Sequence, residues 1–241
     1  MCRRKAVLII HGLAGGTYDE EILANYLEVN RQLDVYAFTL PGHNVRDKKK
    51  STCEEWMKES ENQLKFLLNH GYKKIYLVGH SMGGVIATHL AKKYKQVKKL
   101  VLAAPAFTSI ASKEEGGIIN AIMNVPDLIK AYSVNEFATR IGKLPLSAEK
   151  EFIKLIEKYK DEIYDIKIPV LFLHGNIDQL VPTKSSINIF EKLDNDKKQL
   201  IIIDGYHHDI FRGDKVEKIC AEVEAFLKKR NYRIKVDKKE L

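Results

Sequence analysis

The chain has 241 residues, of which 45% are apolar and 30% charged, and its formal net charge is +8. That balance excludes a disordered chain, a collagen and a disulfide scaffold. The length suits one large α/β domain or two small ones, and a chain this long folds without a metal or a crosslink.

Ala6–Ile10 is wholly apolar and reads as a buried strand. Its five residues before His11 are too few for the roughly 7–15 of a signal-peptide core, so the preceding Arg3-Arg4-Lys5 does not mark a leader and the expected location is cytoplasmic. Tyr18–Leu27 reads as a helix with Ile22, Leu23, Tyr26 and Leu27 on one face. Asp34–Leu40 is a second strand, and Pro41-Gly42-His43-Asn44 opens a polar loop. Thr52 followed by Glu55 fits a capping box, and Trp56, Ser60, Leu64, Leu67 and Leu68 carry that helix onward. Lys74–Val78 is a strand, Met82–Tyr94 a helix and Val97–Ala103 a strand. From Pro105 to Ile166 no strand-like run occurs. Ile118, Ile122, Val125 and Ile129, then Phe152, Leu155, Ile156 and Tyr159, recur at helical spacing, which predicts a helical insertion over residues 105–166. Val170–Leu173 and Gln199–Ile203 are strands, with a helix at Thr183–Lys192 between them and another at Lys215–Lys229. The charged tail from Asn231 to Leu241 reads as frayed, with Tyr232–Val236 its one stretch suited to a strand.

Apolar strands separated by helices predict a mostly parallel sheet of about six strands, flanked by helices on both faces. No run free of Lys, Arg, Asp and Glu reaches the 18 residues that a spanning helix needs.

Gly79-His80-Ser81-Met82-Gly83 falls between a strand and a helix. A Gly-x-Ser-x-Gly in that context is a nucleophile elbow, a strained turn that presents the serine hydroxyl. The serine needs a base, and the base needs an orienting carboxylate, in the chain order Ser, acid, His. Asp178 follows the strand at 170–173 through a glycine turn. His207 and His208 follow the strand at 199–203. The reaction also needs two backbone N–H donors for the oxyanion. Met82, next to the nucleophile, supplies one. The loop His11-Gly12-Leu13 after the first strand supplies the other, with Leu13 as the donor.

With these pieces in place the chain resembles the α/β-hydrolases, and among them small carboxylesterases and monoacylglycerol lipases. The likeness rests on His11-Gly12-Leu13, Leu40-Pro41-Gly42-His43, Gly79–Gly84, His174-Gly175-x-x-Asp178-x-x-Val181-Pro182 and His208-Asp209-Ile210-Phe211, and spans Ala6 to Lys229. It implies Ser81 as nucleophile, Asp178 as acid and His208, rather than His207, as base. It also implies that residues 105–166 form a helical cap, and that the substrate is a small ester with a hydrophobic short-to-medium acyl group. Thioester, feruloyl ester and amide hydrolysis are the alternatives with the same machinery, and a receptor-like homologue is the non-enzymatic one. Because the base must be neutral, activity is expected to fall in acid.

Other partners are few. Of 40 basic residues only 8 are Arg, so 32 are Lys, and these are scattered in pairs. Arg is the residue suited to bidentate phosphate contacts. No nucleic-acid partner is expected, and peripheral contact with anionic lipid is the most the charge suggests. Cys2, Cys53 and Cys220 have no zinc-site spacing and read as reduced thiols. No metal or cofactor is expected, and His11, His43, His70, His80, His89 and His174 read as structural or surface histidines. Oligomeric state is not encoded in these patterns.

Overall fold

The computed structural model describes residues 5–29, 33–43, 50–108, 146–231 and 234–241. Seven strands form one sheet: β1 (Lys5–Ile10), β2 (Leu33–Ala37), β3 (Ile75–His80), β4 (Val97–Ala103), β5 (Val170–Gly175), β6 (Lys198–Ile203) and β7 (Asp237–Glu240). Their order is β2-β1-β3-β4-β5-β6-β7, and every pairing is parallel. The described helices are α1 (Glu21–Glu28), α2 (Cys53–Asn69), α3 (Met82–Lys93), α4 (Leu146–Tyr159), α5 (Thr183–Lys192) and α6 (Val216–Lys228), with a 3-10 turn at Lys160–Asp165 after α4.

The apolar runs explain the two layers. Side chains alternate across a strand, so Ala6, Leu8 and Ile10 of β1 join a core with α2, α3, α4 and α5. Val7 and Ile9 join the opposite core with α1 and α6. Each fully buried Leu or Ile contributes roughly 1.5–3 kcal/mol, so a strand that is apolar on both sides is held only between two helical layers. Thr52 accepts from the Glu55 backbone N–H at 3.3 Å while Glu55 Oε2 accepts from the Thr52 backbone N–H at 2.8 Å, closing the capping box of α2.

Several boundaries differ from the sequence reading. β2 ends at Ala37, and the Leu40 N–H beyond it bonds a histidine ring, His11 Nε2 at 2.9 Å. α1 begins at Glu21 and buries Leu23 and Leu27, leaving Ile22 46% exposed. The end of the tail is not frayed, and its strand, Asp237–Glu240, lies beyond the stretch 232–236. β7 adds the seventh strand, with the Leu241 N–H donating to Ile202 O at 2.9 Å and Leu241 O accepting from the Asp204 N–H at 3.1 Å. Its charged side chains suit an outermost strand, where Lys239 pairs with Glu222 at 2.7 Å. Two lysines lie inside the fold rather than on its surface. Buried Lys99 donates to Phe226 O and Leu227 O at the end of α6, and Lys198 to Phe190 O and Leu193 O at the end of α5. A cation there meets carbonyls that the helix leaves unbonded.

Residues 109–145 of the expected cap lie outside the described residues. Of its remainder, α4 packs Phe152, Leu155 and Ile156 into the α2–α3 core. Glu162 in the 3-10 turn binds His89 at 2.8 Å and Lys92 at 3.3 Å, fixing that turn to α3. Among the described residues no helix is long and apolar enough to cross a membrane. The strand order reverses at β1, whose neighbours are β2 and β3. The carboxyl ends of strands beside such a reversal form the crevice where open α/β sheets bind ligands.

Candidate active site

Ser81 stands between β3 and α3 with φ +52° and ψ −117°. Backbone of that kind costs a residue with a side chain about 1–3 kcal/mol. Its surroundings hold it there. The Ser81 N–H donates to Ala103 O at 2.9 Å, and Ser81 O accepts from Gly84 N–H at 3.0 Å and Ala106 N–H at 3.2 Å. The flanking glycines are required by close approach. A Cβ on Gly79 would lie 2.4 Å from Gly83 O, and one on Gly83 would lie 2.1 Å from Ile10 O. Gly83 therefore serves the contact with the end of β1. Met82, the first residue of α3, is fully buried.

The loop after β1 meets the elbow directly, since a Cβ on Gly12 would stand 3.0 Å from Ser81 Cβ. His11 fixes that loop. Its Nε2 accepts from Leu40 N–H, so the proton sits on Nδ1 and is donated to Gly12 O at 2.7 Å. Complete burial, with His43 nearby, pushes the His11 imidazole down to about 3. Its neutral tautomer is thereby set. The carbonyl it holds shares a peptide plane with the Leu13 N–H, which points to the opposite side.

Asp178 and His208 follow neighbouring strands, β5 and β6. His208 Nδ1 is 2.7 Å from Asp178 Oδ2, and the Asp178 side chain is fully buried. Asp178 Oδ1 accepts from the Leu180 and Val181 N–H groups at 2.8 and 2.9 Å. Burial alone would raise the Asp178 carboxyl, but the His208 charge and the bonds from His174 and His208 override it and hold the group well below the usual carboxylate range. Asn176 joins the two turns, donating to Asp204 Oδ1 at 2.7 Å and accepting from the Gly205 N–H at 2.8 Å. His207 points elsewhere, with its Nδ1 2.6 Å from Gln179 Nε2.

Three arrangements escape sequence reading. His80, read as a structural or surface residue, is buried and bridges three loops. Its Nε2–H donates to His208 O at 3.1 Å, its Nδ1 lies 3.0 Å from Glu20 Oε1, and its ring centre is 5.1 Å from that of His208. Burial would lower the His80 imidazole, but the Glu20 carboxylate outweighs it and holds the ring up to about 9. Glu20 is itself pushed up by its burial, so the pair keeps a proton. Beside it, Asp19 accepts from the Gly16 N–H and from Arg212. His174 lies behind Asp178, with Nε2 3.1 Å from Asp178 Oδ2 and Nδ1 2.7 Å from Ser186 Oγ. Cys53, Glu54 and Glu151 bring three potential ligand atoms together, but burial and the adjacent Glu54 push the Cys53 thiol up to about 12, which disfavours the thiolate that a metal needs.

The family Hydrolase_4, described as serine aminopeptidase, S33, matches residues 2–215. The chain belongs to this α/β-hydrolase family. It is 24% identical over 232 residues to a carboxylesterase of Bacillus subtilis, covering 95% of this chain and 94% of that one. It superposes on the crystal structure of a monoacylglycerol lipase from Paleococcus ferrophilus with a TM-score of 0.70 at 25% identity, covering 92% and 93% of the two chains. An esterase from Exiguobacterium antarcticum shares the fold, with a TM-score of 0.72 at 18% identity over 93% of this chain and 92% of its own. The protein is thus a hydrolase of the esterase and lipase family with a serine-hydrolase fold.

Proposed function

We propose that Ser81, His208 and Asp178 are the nucleophile, base and acid of a carboxylesterase or monoacylglycerol lipase acting on esters with a hydrophobic short-to-medium acyl group. The observation that carries this reading is the 2.7 Å bond from His208 to the buried Asp178, with His80, the residue before the strained Ser81, donating to His208 O at 3.1 Å. Ser81 Oγ attacks the ester carbonyl as His208 takes its proton. Asp178 keeps the His208 tautomer in which Nε2 faces the reaction, and it stabilises the imidazolium. The Leu13 and Met82 N–H groups receive the oxyanion, each worth about 3–4 kcal/mol of barrier. The imidazolium then protonates the leaving alcohol. Water, activated by His208, frees the acid.

Residues 105–166 are the cap in this reading, of which 109–145 lie outside the described residues. A cytoplasmic location fits the free, buried Cys53 and Cys220. The family's description as serine aminopeptidase makes amides the second substrate class.

A chain-length series of p-nitrophenyl esters and monoacylglycerols, run beside an aminoacyl anilide, tests the substrate class. Highest kcat/KM on the butyrate-to-octanoate esters is expected, and preference for the anilide overturns the ester assignment. Ser81→Ala should lose roughly four to six orders of magnitude in kcat and all labelling by a fluorophosphonate. Retained turnover overturns Ser81 as nucleophile.

A further inference from the structure

Asp178 Oδ2 is shared by two imidazoles, His208 Nδ1 at 2.7 Å on the side of the nucleophile and His174 Nε2 at 3.1 Å on the far side. The neighbours of His174 fix its tautomer. Its Nε2 faces only acceptors, Asp178 Oδ2 and Val181 O at 2.9 Å, so it carries a proton. Its Nδ1 meets the Ser186 hydroxyl at 2.7 Å, and Ser186 on α5 is fully buried. Asp178 therefore accepts the Leu180 and Val181 N–H groups on Oδ1 and the His208 N–H on Oδ2, while the His174 N–H, bonded to Val181 O, faces Oδ2 at 3.1 Å.

We propose that His174, braced by Ser186, is a positioning residue that sets how strongly Asp178 pulls on the His208 proton. The proposal rests on Asp178 and His208 being the acid and base. The physical step is simple. The His174 N–H, shared between Val181 O and Oδ2, draws on the charge that faces His208 and holds the carboxylate against rotation. Without it, Oδ2 holds the His208 imidazolium more tightly, so His208 keeps its proton to higher pH, while the freed carboxylate orients the ring less well. The other groups facing His208 are His80, with its partner Glu20, and the adjacent Asp209, which also acts on His80. These belong to β3, the loop before α1 and the base turn, and no His174 variant touches them.

The test is the titration midpoint of the His208 ring, followed by the low-field proton resonance of its Nδ1–H and assigned by its loss in His208→Gln. kcat and KM are measured on p-nitrophenyl butyrate in parallel. His174→Leu should raise the midpoint by about half a pH unit or more and lower kcat about tenfold, with KM within twofold. His174→Gln, which keeps an N–H near the position of Nε2, should recover most of both. An unmoved midpoint in His174→Leu, or a Gln variant no better than Leu, overturns the proposal and leaves His174 a packing residue. Should His174→Leu fail to fold, Ser186→Ala decides, with a smaller rise expected and no rise overturning it. The midpoint is read without turnover. Failure of the nucleophile assignment, seen as activity in Ser81→Ala, is therefore distinguishable from failure of this one.

Discussion

His11 and His80 stand at neighbouring strand ends, where Ile10 of β1 pairs with Gly79 of β3, and both are buried. Their charge states are opposite. His11 hydrogen-bonds backbone groups and is driven neutral, down to about 3. His80 touches Glu20 and is held up to about 9. Burial is common to both, so the partner decides. A carbonyl and an N–H fix a neutral tautomer, whereas a carboxylate retains a proton. Each state suits its place. The neutral ring orients a peptide of the loop after β1, and the proton-retaining ring ties the turn after β6 to the elbow.

This contrast can be broken from either side. Removing the carboxylate with Glu20→Leu leaves His80 buried without its counterion and should cost about 3–5 kcal/mol in urea unfolding. Glu20→Gln, which keeps an oxygen acceptor, should cost clearly less, and equal losses would mean that charge is not what matters there. His11→Leu removes one donor and one acceptor and should cost about 1–3 kcal/mol of stability. If the Gly12–Leu13 peptide serves the oxyanion, the same variant should lower kcat by roughly tenfold to a hundredfold at constant KM. A rise in KM alone would place that loop outside the reaction.

The finest test is the pH dependence of stability. Between about 3 and 6.5 the unfolded chain protonates His11 while the folded chain refuses, so stability should fall as the pH drops through that window. Between 6.5 and about 9 the folded chain keeps the His80 proton that the unfolded chain has released, so stability should fall as the pH rises through it. His11→Gln should flatten the acid side alone and His80→Gln the alkaline side alone. A slope that survives its variant belongs to another group.

What could be read in the sequence follows from how local each signal is. β1, β3, β4, β5 and β6 announce themselves because both of their faces are apolar. The elbow, the glycine turn before Asp178 and the histidines after β6 lie at the strand ends where such chemistry is sought. β7 gives no such signal, because the strand Asp237–Glu240 is held by main-chain bonds and its charged side chains face water. Glu20 and His80 are 60 residues apart, and His80 and His208 are 128 apart, so nothing in either neighbourhood marks the contact. His174 sits only four residues before Asp178, yet its role depends on Ser186 closing in from another element. Lys99 looks like one more surface lysine until the end of α6 lies over it.

The sheet order also acts as a ruler. Two strands, β4 and β5, separate β3 from β6, so the strand bearing Ser81 and the strand leading to His208 are three spacings apart, roughly 14 Å. No adjustment of the sheet shortens that span. The five residues from Asp204 to His208 must cover it, together with the reach of the imidazole. Deleting one of them would leave the strands intact and draw His208 back from the elbow, so the length of this turn is under tighter constraint than its composition.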